Sequence, residues 1–170
     1  MKLLGMVLVI FSTSSLGYLF ALKYKMRRWI LKSMISSLNL LKIEITYSKA
    51  PLGEILMEIS HSLDKSVKFA FLKTGMILSQ NEGYTAGEAW EIALKEWDNG
   101  YLKKEDIEIL KSFGYGLGNS DVYNQEKNFD LAIELLKRQL SNAEDESKKN
   151  EKLYKNIGVL AGLAITILFL

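Results

Sequence analysis

Apolar residues are distributed along this chain in two different ways. At the two ends they form unbroken runs; between them they recur at helical spacing. Leu3 to Leu22 is twenty residues without a charge, and as a helix it would span about 30 Å, the thickness of a bilayer's hydrocarbon core. Ile157 to Leu170 is a second uncharged run, of fourteen residues, or about 21 Å of helix. Starting it at Leu153 gives eighteen residues and takes in Lys155 and Asn156; a lysine near the end of a span can reach the headgroups. An apolar terminal run with no polar face has no obvious place in a small soluble core. The expectation is an N-terminal membrane helix over residues 3–22, a helical domain over 26–152 and a C-terminal membrane helix over 153–170.

The middle reads as all-α, a bundle of six helices. In the first, Leu31, Met34, Leu38, Leu41 and Ile45 recur at steps of three and four, a seam for packing on other helices. Pro51 stops it and suits the first turn of the next, whose inner face carries Leu52, Ile55, Leu56, Ile59 and Leu63. A third runs from about Val67 to Gln80, with Phe71, Leu72 and Leu78 inward, and Asn81-Glu82-Gly83 turns the chain. Thr85 with Glu88 three residues on is a capping box opening a fourth, which carries Ala89, Trp90, Ala93, Leu94 and Trp97. Lys103 to Leu117 is a fifth, with Ile107, Leu110, Phe113 and Leu117 inward. Asp121 or Ser120 caps a long sixth, striped by Phe129, Ala132, Ile133, Leu136 and Leu140. Neither proline nor glycine interrupts Asp121 to Asn156, so this helix can run on into the C-terminal apolar segment, a rod of about 75 Å if all fifty residues are helical. Glu144 to Glu151 is charged on every side, which fits either a flexible linker or a solvated helical spacer.

Charge sets the topology. Lys23, Lys25, Arg27, Arg28 and Lys32 follow the first apolar run, with only Lys2 before it. Lys148, Lys149, Lys152 and Lys155 precede the second, and nothing basic follows it. Both asymmetries put the middle of the protein in the cytoplasm. Tyr18, Tyr24 and Trp29 are candidate interfacial aromatics. The alternative is a cleaved signal peptide, with Ser12 to Ser15 as the cleavage region, giving an exported, tail-anchored helical binding module. The anchor is preferred because the apolar stretch resumes after those serines and a basic cluster behind the site resists export. Small residues repeat at four-residue spacing in both runs: Thr13, Gly17 and Ala21, then Gly158, Gly162 and Thr166. Such faces let helices approach closely in lipid, so a homo-oligomer is possible.

Composition removes several chemistries. The chain has no cysteine and one histidine, His61, which excludes a disulfide scaffold, a thiol nucleophile and a two-histidine metal motif. A net charge of +2 gives no footprint for nucleic acid. The basic run from Lys23 to Lys32 reads as a topology determinant and lipid contact. Gly114-Tyr115-Gly116-Leu117-Gly118 looks like a nucleotide loop, but it ends a helix where such a loop opens one. His61 reads as a surface residue, Trp90 and Trp97 as core, and Glu105, Asp106 and Glu108 as acids favoured by the start of a helix. A membrane enzyme using carboxylates such as Glu82 and Glu88 is the weakest reading. Nothing here makes a nucleophile–base pair or a metal cluster, and no cofactor is implied. The residues alone suit a platform or adaptor.

Specific residues also resemble a known family. Glu44-Ile45-x-Tyr47 followed by Pro51-Leu52, then Glu88-Ala89-Trp90, then Phe113-Gly114-x-x-Leu117-Gly118-x-x-Asp121-x-x-x-Gln125, and the ending around Gly158 and Gly162, together resemble the stage III sporulation protein AB family over essentially the whole chain. Ala50 stands where that family often has threonine. The resemblance implies an endospore-forming bacterium and a cytoplasmic six-helix bundle like that of the type II secretion F platform protein. It implies a place in the mother-cell membrane around the forespore, within the channel complex joining the two cells. The implied partners are the channel proteins and the stage III sporulation protein AA ATPase, which the bundle would dock. The glycines of the longest motif read as a tight helix connection, and Asp121 as the cap of the sixth helix.

Overall fold

Helical periodicity is realised in six α-helices: α1 (Lys2–Tyr47), α2 (Leu52–Ser60), α3 (Lys65–Ser79), α4 (Ala86–Trp97), α5 (Lys104–Tyr115) and α6 (Val122–Leu168). The computed structural model describes the backbone of residues 2–80, 82–97, 100–118 and 122–168. Side chains are described there except at 2–10, 13, 14, 16, 17, 20, 21, 122, 123, 151, 152, 154, 155, 158, 159, 162, 163 and 166–168. Among the described residues there is no strand. Asp121, expected to cap α6, lies outside them, as do the side chains of Thr13, Gly17, Ala21, Gly158, Gly162 and Thr166. Among the described residues no helix is long and apolar enough to cross a membrane, so the two flanking membrane helices rest on the sequence alone.

The chain divides into two compact units, one of Met1–Arg28 with Ser141–Leu170 and one of Trp29–Leu140. In the second, α2 packs on α3, α3 on α4 and α4 on α5. Leu31, Met34, Leu38 and Leu41 of α1 are buried as the seam requires, as are Phe129, Ala132, Ile133 and Leu136 of α6. Four rings cross the core edge to face. Phe71 meets Trp90 at 5.2 Å, Trp90 meets Phe113 at 5.7 Å, and Phe113 meets Phe129 at 4.9 Å, so α3, α4, α5 and α6 share one aromatic file. The Trp90 indole N–H donates to the Leu110 carbonyl at 2.8 Å. That of Trp97 donates to the Ser66 carbonyl at 2.8 Å, tying the end of α4 to the start of α3.

Several expectations need correction. Pro51 stands at the N-cap of α2, outside the helix, with ψ at 143°; no side chain caps that end, and Ala50 offers none. Ile77 is buried where Leu78 was expected; Leu78 is half-buried, as are Ile45, Leu63, Leu72, Ile107 and Leu140. A helix buries a stripe whose centre is set by its neighbours, so positions at the edge of the apolar arc can fall either way. Leu117 is buried although α5 stops at Tyr115. Asp106 stands in the first turn of α5 as expected; it is also fully buried and accepts the Lys103 backbone N–H at 2.9 Å, a donor that α5 leaves without an intrahelical partner.

The capping box is as expected. Thr85 donates its backbone N–H and its hydroxyl to the Glu88 carboxylate at 2.9 and 2.8 Å, and accepts the Glu88 N–H at 3.2 Å. At the start of α3, Asp64 accepts the backbone N–H and the hydroxyl of Ser66 at 2.9 and 2.5 Å. Both carboxyls are held below their ordinary range, Glu88 by the Thr85 donors and Asp64 first by the Ser66 hydroxyl and then by its backbone N–H. A carboxyl depressed by folding stabilises above its unfolded value, and that contribution is lost as pH falls through the folded value. Acidification below the ordinary carboxylate range should therefore lower the denaturation midpoint. Asp64→Ala with Glu88→Gln should flatten that dependence, and Asp64→Ala should cost about 1 kcal/mol at neutral pH by loss of the α3 cap. Urea titrations at several pH values check it.

In the first unit, Arg27 is buried and pairs with Glu146 at 3.1 Å. The basic cluster after the first apolar run thus contributes one member to an internal ion pair instead of to lipid contact. Ala143 and Ser147 of α6 are buried too, so the charged run there is helical with one packed side. Elsewhere this unit exposes large apolar side chains, Phe11, Tyr18 and Leu19 on α1 and Leu153, Ile157, Leu160 and Ile165 on α6.

Candidate functional site

Three of the motif stretches, 44–52, 88–90 and 113–125, lie in the Trp29–Leu140 unit, which gathers them at one end. There α1 finishes at Tyr47, α2 begins at Leu52, α4 begins at Ala86, α5 finishes at Tyr115 and α6 begins at Val122. Gly118 sits in the connection between α5 and α6 with φ at +79°, a conformation that glycine adopts without strain. A β-carbon on it would lie 3.2 Å from the Ala86 β-carbon and 3.8 Å from Leu52 Cδ2. Two of the motif stretches and the first residue of α4 therefore meet at this glycine.

Gly114 and Gly87 bring α4 and α5 together. A β-carbon on Gly87 would stand 3.1 Å from the Tyr115 Cα and 3.2 Å from the Gly114 carbonyl oxygen. One on Gly114 would fall onto the Trp90 indole, 2.9 Å from its Cγ. The Asn128 side-chain amide donates to the Phe113 carbonyl at 2.9 Å, closing the end of α5 with α6. Lys42 bridges α1 to α6 through Asp130 at 2.8 Å and Glu126 at 3.1 Å. These partners raise its pKa, Asp130 most.

The motif thus divides by depth. Trp90, Phe113, Gly114 and Leu117 are buried and build this end of the bundle. Leu52, Glu44 and Gln125 are half-buried, and Tyr47, Pro51 and Gly118 are exposed. Tyr47 is 83% exposed, the most open of the large apolar side chains among the described residues. Two exposed tyrosines that the quoted motifs do not specify stand with the same helix ends, Tyr84 before α4 and Tyr115, at an open motif position, at the end of α5. Tyr115 donates its hydroxyl to Glu91 at 2.6 Å. That bond raises the tyrosine's pKa and lowers that of Glu91, whose next cause is Lys95. An exposed apolar ring in a polar setting packs on another surface; it performs no chemistry by itself.

No reactive arrangement appears among the described groups. Glu88 is committed to its cap, Glu82 and His61 are exposed, and the Gly114–Gly118 segment ends α5 as the sequence indicates. Among the described residues no group of three or more acidic or histidine side chains is placed to hold a metal ion.

The model of the stage III sporulation protein AB family matches residues 2–170. The chain belongs to that family. It is 34% identical to stage III sporulation protein AB of Bacillus subtilis (strain 168) over 171 residues, covering all of this chain and 99% of that one. A solved structure of stage III sporulation protein AB superposes with a TM-score of 0.67 at 32% identity, over 72% of this chain and 96% of the other. The all-helical, six-helix architecture is thus that of the stage III sporulation protein AB fold. The family places the chain among sporulation proteins, and it is not a known catalytic family. Sequence reading missed Tyr84 and Tyr115 as members of the exposed end, because Tyr115 lay inside a motif read for its glycines.

Proposed function

We propose that this protein is a non-catalytic membrane platform of the channel complex between mother cell and forespore. Both ends are held in the mother-cell membrane, and the Trp29–Leu140 unit faces the cytoplasm. The observation that carries this is the pairing of an uncharged run with a basic flank at each end of the chain, together with the apolar side chains that the other unit leaves exposed, Leu19 and Leu160 both at 63%. The apolar run resumes after Ser12 to Ser15 and a basic cluster follows it, which favours an uncleaved anchor over the cleaved-leader alternative. The AA-type ATPase is the partner that the family resemblance suggests for the bundle. Its docking place is the end of the bundle carrying Tyr47, Tyr84 and Tyr115.

Photoreactive residues at these three tyrosines, in membranes from sporulating cells, should yield adducts with the ATPase. Mass spectrometry should find Met1–Leu22 intact, and protease added outside intact mother cells should leave the bundle whole. A clipped N-terminus, a digested bundle or recovery in the soluble fraction would overturn the reading. Adducts confined to other faces would remove the docking place alone.

A further inference from the structure

Helix α3 presents an outer face that its neighbours leave uncovered. Phe69 and Met76 are exposed, at 43% and 47%, and Leu72 between them is half-buried. Positions 65, 69, 72 and 76 fall on one side of a helix with 3.6 residues per turn. Lys65 heads this stripe, and Lys68 and Lys73 flank it. The helix has no acidic residue at all. Lys65 and Lys68 sit in its first turn and just after, where the helix dipole favours negative charge, so local stability does not account for them. Lys73 pairs with Glu96 at 3.0 Å.

The start of α3 is joined to α1 by a specific bond: the Trp29 indole N–H donates to Asp64 at 3.1 Å while 52% of the residue stays exposed. Lys32, three positions further on and on the same side of α1, is exposed as well. An apolar stripe flanked by lysines, beside a half-exposed tryptophan, has the composition of a helix that lies in a bilayer's interface. There aromatic rings sit at headgroup depth, and lysine stems cover apolar surface while their ammonium groups meet phosphate.

We propose that the outer face of α3, with Trp29 and Lys32 of α1, rests on a phospholipid surface that carries negative charge. Trp29 follows the first apolar run by only seven positions in the sequence, within the flank where interfacial aromatics and lysines are found. A second copy of the same face would set lysines against lysines. The inference rests on the membrane reading given above, and it adds that the bundle itself touches lipid.

The chain contains no cysteine, so Phe69→Cys carries one environment-sensitive fluorophore, and Tyr47→Cys serves as a control on another element. The full chain is reconstituted in vesicles of phosphatidylcholine, alone or mixed with phosphatidylglycerol, with spin-labelled lipid as quencher. The label at 69 should shift to the blue and be quenched in the anionic vesicles only, and the label at 47 in neither. Lys32→Gln, Lys65→Gln and Lys68→Gln should each lower the equilibrium constant for lipid contact about fivefold, the effect of about 1 kcal/mol per basic residue near such a surface. Unchanged far-ultraviolet circular dichroism shows that each variant folds. If the chain floats with the vesicles while the label at 69 stays in water in both compositions, this inference is wrong and the membrane reading stands. The same result with an acidic protein retained through the three lysines assigns the face to that partner instead. A chain that floats with neither vesicle overturns both.

Discussion

Trp90→Ala is expected to cost about 4 kcal/mol, the upper part of the range for emptying a core aromatic site. The side chain is fully buried, stands between Phe71 and Phe113 in the aromatic file and donates to the Leu110 carbonyl. Alanine opens a cavity between α3, α4 and α5, breaks two edge-to-face contacts and removes the indole's bond to the Leu110 carbonyl, which keeps its helical donor within α5. Such a loss is a large share of the roughly 5–15 kcal/mol that a domain holds in total. Trp90→Phe should cost less, since it keeps most of the volume and forfeits chiefly the hydrogen bond. Guanidinium titration of the purified chain, followed by far-ultraviolet circular dichroism, measures both against wild type at constant slope.

The second large effect is at Gly114. A methyl group there meets the Trp90 ring, and neither partner can retreat: the ring is enclosed, and Gly87 holds the two backbones together. Gly114→Ala should cost about 2–3 kcal/mol by overpacking. The same change in a Trp90→Ala background should reverse sign and stabilise by up to about 1 kcal/mol, because alanine is the better residue inside a helix such as α5 once the ring is gone. A double-mutant cycle in the same titration reads this coupling directly. Additive costs would show that Gly114 is needed for something other than the indole.

Local signals in the sequence foretold much of this. Spacings of three and four located all six helices, and Thr85 with Glu88 fixed the start of α4 because a capping box is completed within four residues. The glycine motif reads as a helix terminus because no strand pattern precedes it, and α5 does end there. Hidden features depend on partners far along the chain. Arg27 and Glu146 are 119 positions apart, and Trp29 and Asp64 are 35 apart. No local pattern shows that one arginine of a basic cluster is internal. Asp106 has the position of an ordinary first-turn acid; its depth comes from tertiary packing. A β-carbon on Gly75 would stand 2.8 Å from the Gly53 carbonyl oxygen, so α2 and α3 touch backbone to backbone. The only trace of this in the sequence is a pair of glycines inside helical patterns, where each costs helix stability. The exposed end of the bundle was half legible: the motif named Tyr47 and Pro51, while their neighbours Tyr84 and Tyr115 are brought there by the fold.

The bridge from Lys42 to Glu126 and Asp130 joins points 84 and 88 positions apart, whereas α2 to α5 pack on immediate sequence neighbours. During synthesis the four short helices can pair as they leave the ribosome, because closing short loops is fast. The Lys42 end of α1, made first, must wait for Glu126 and Asp130 to be translated. Nascent chains truncated before α6 should therefore lack this bridge and leave the end of α1 more open to protease than the finished chain does.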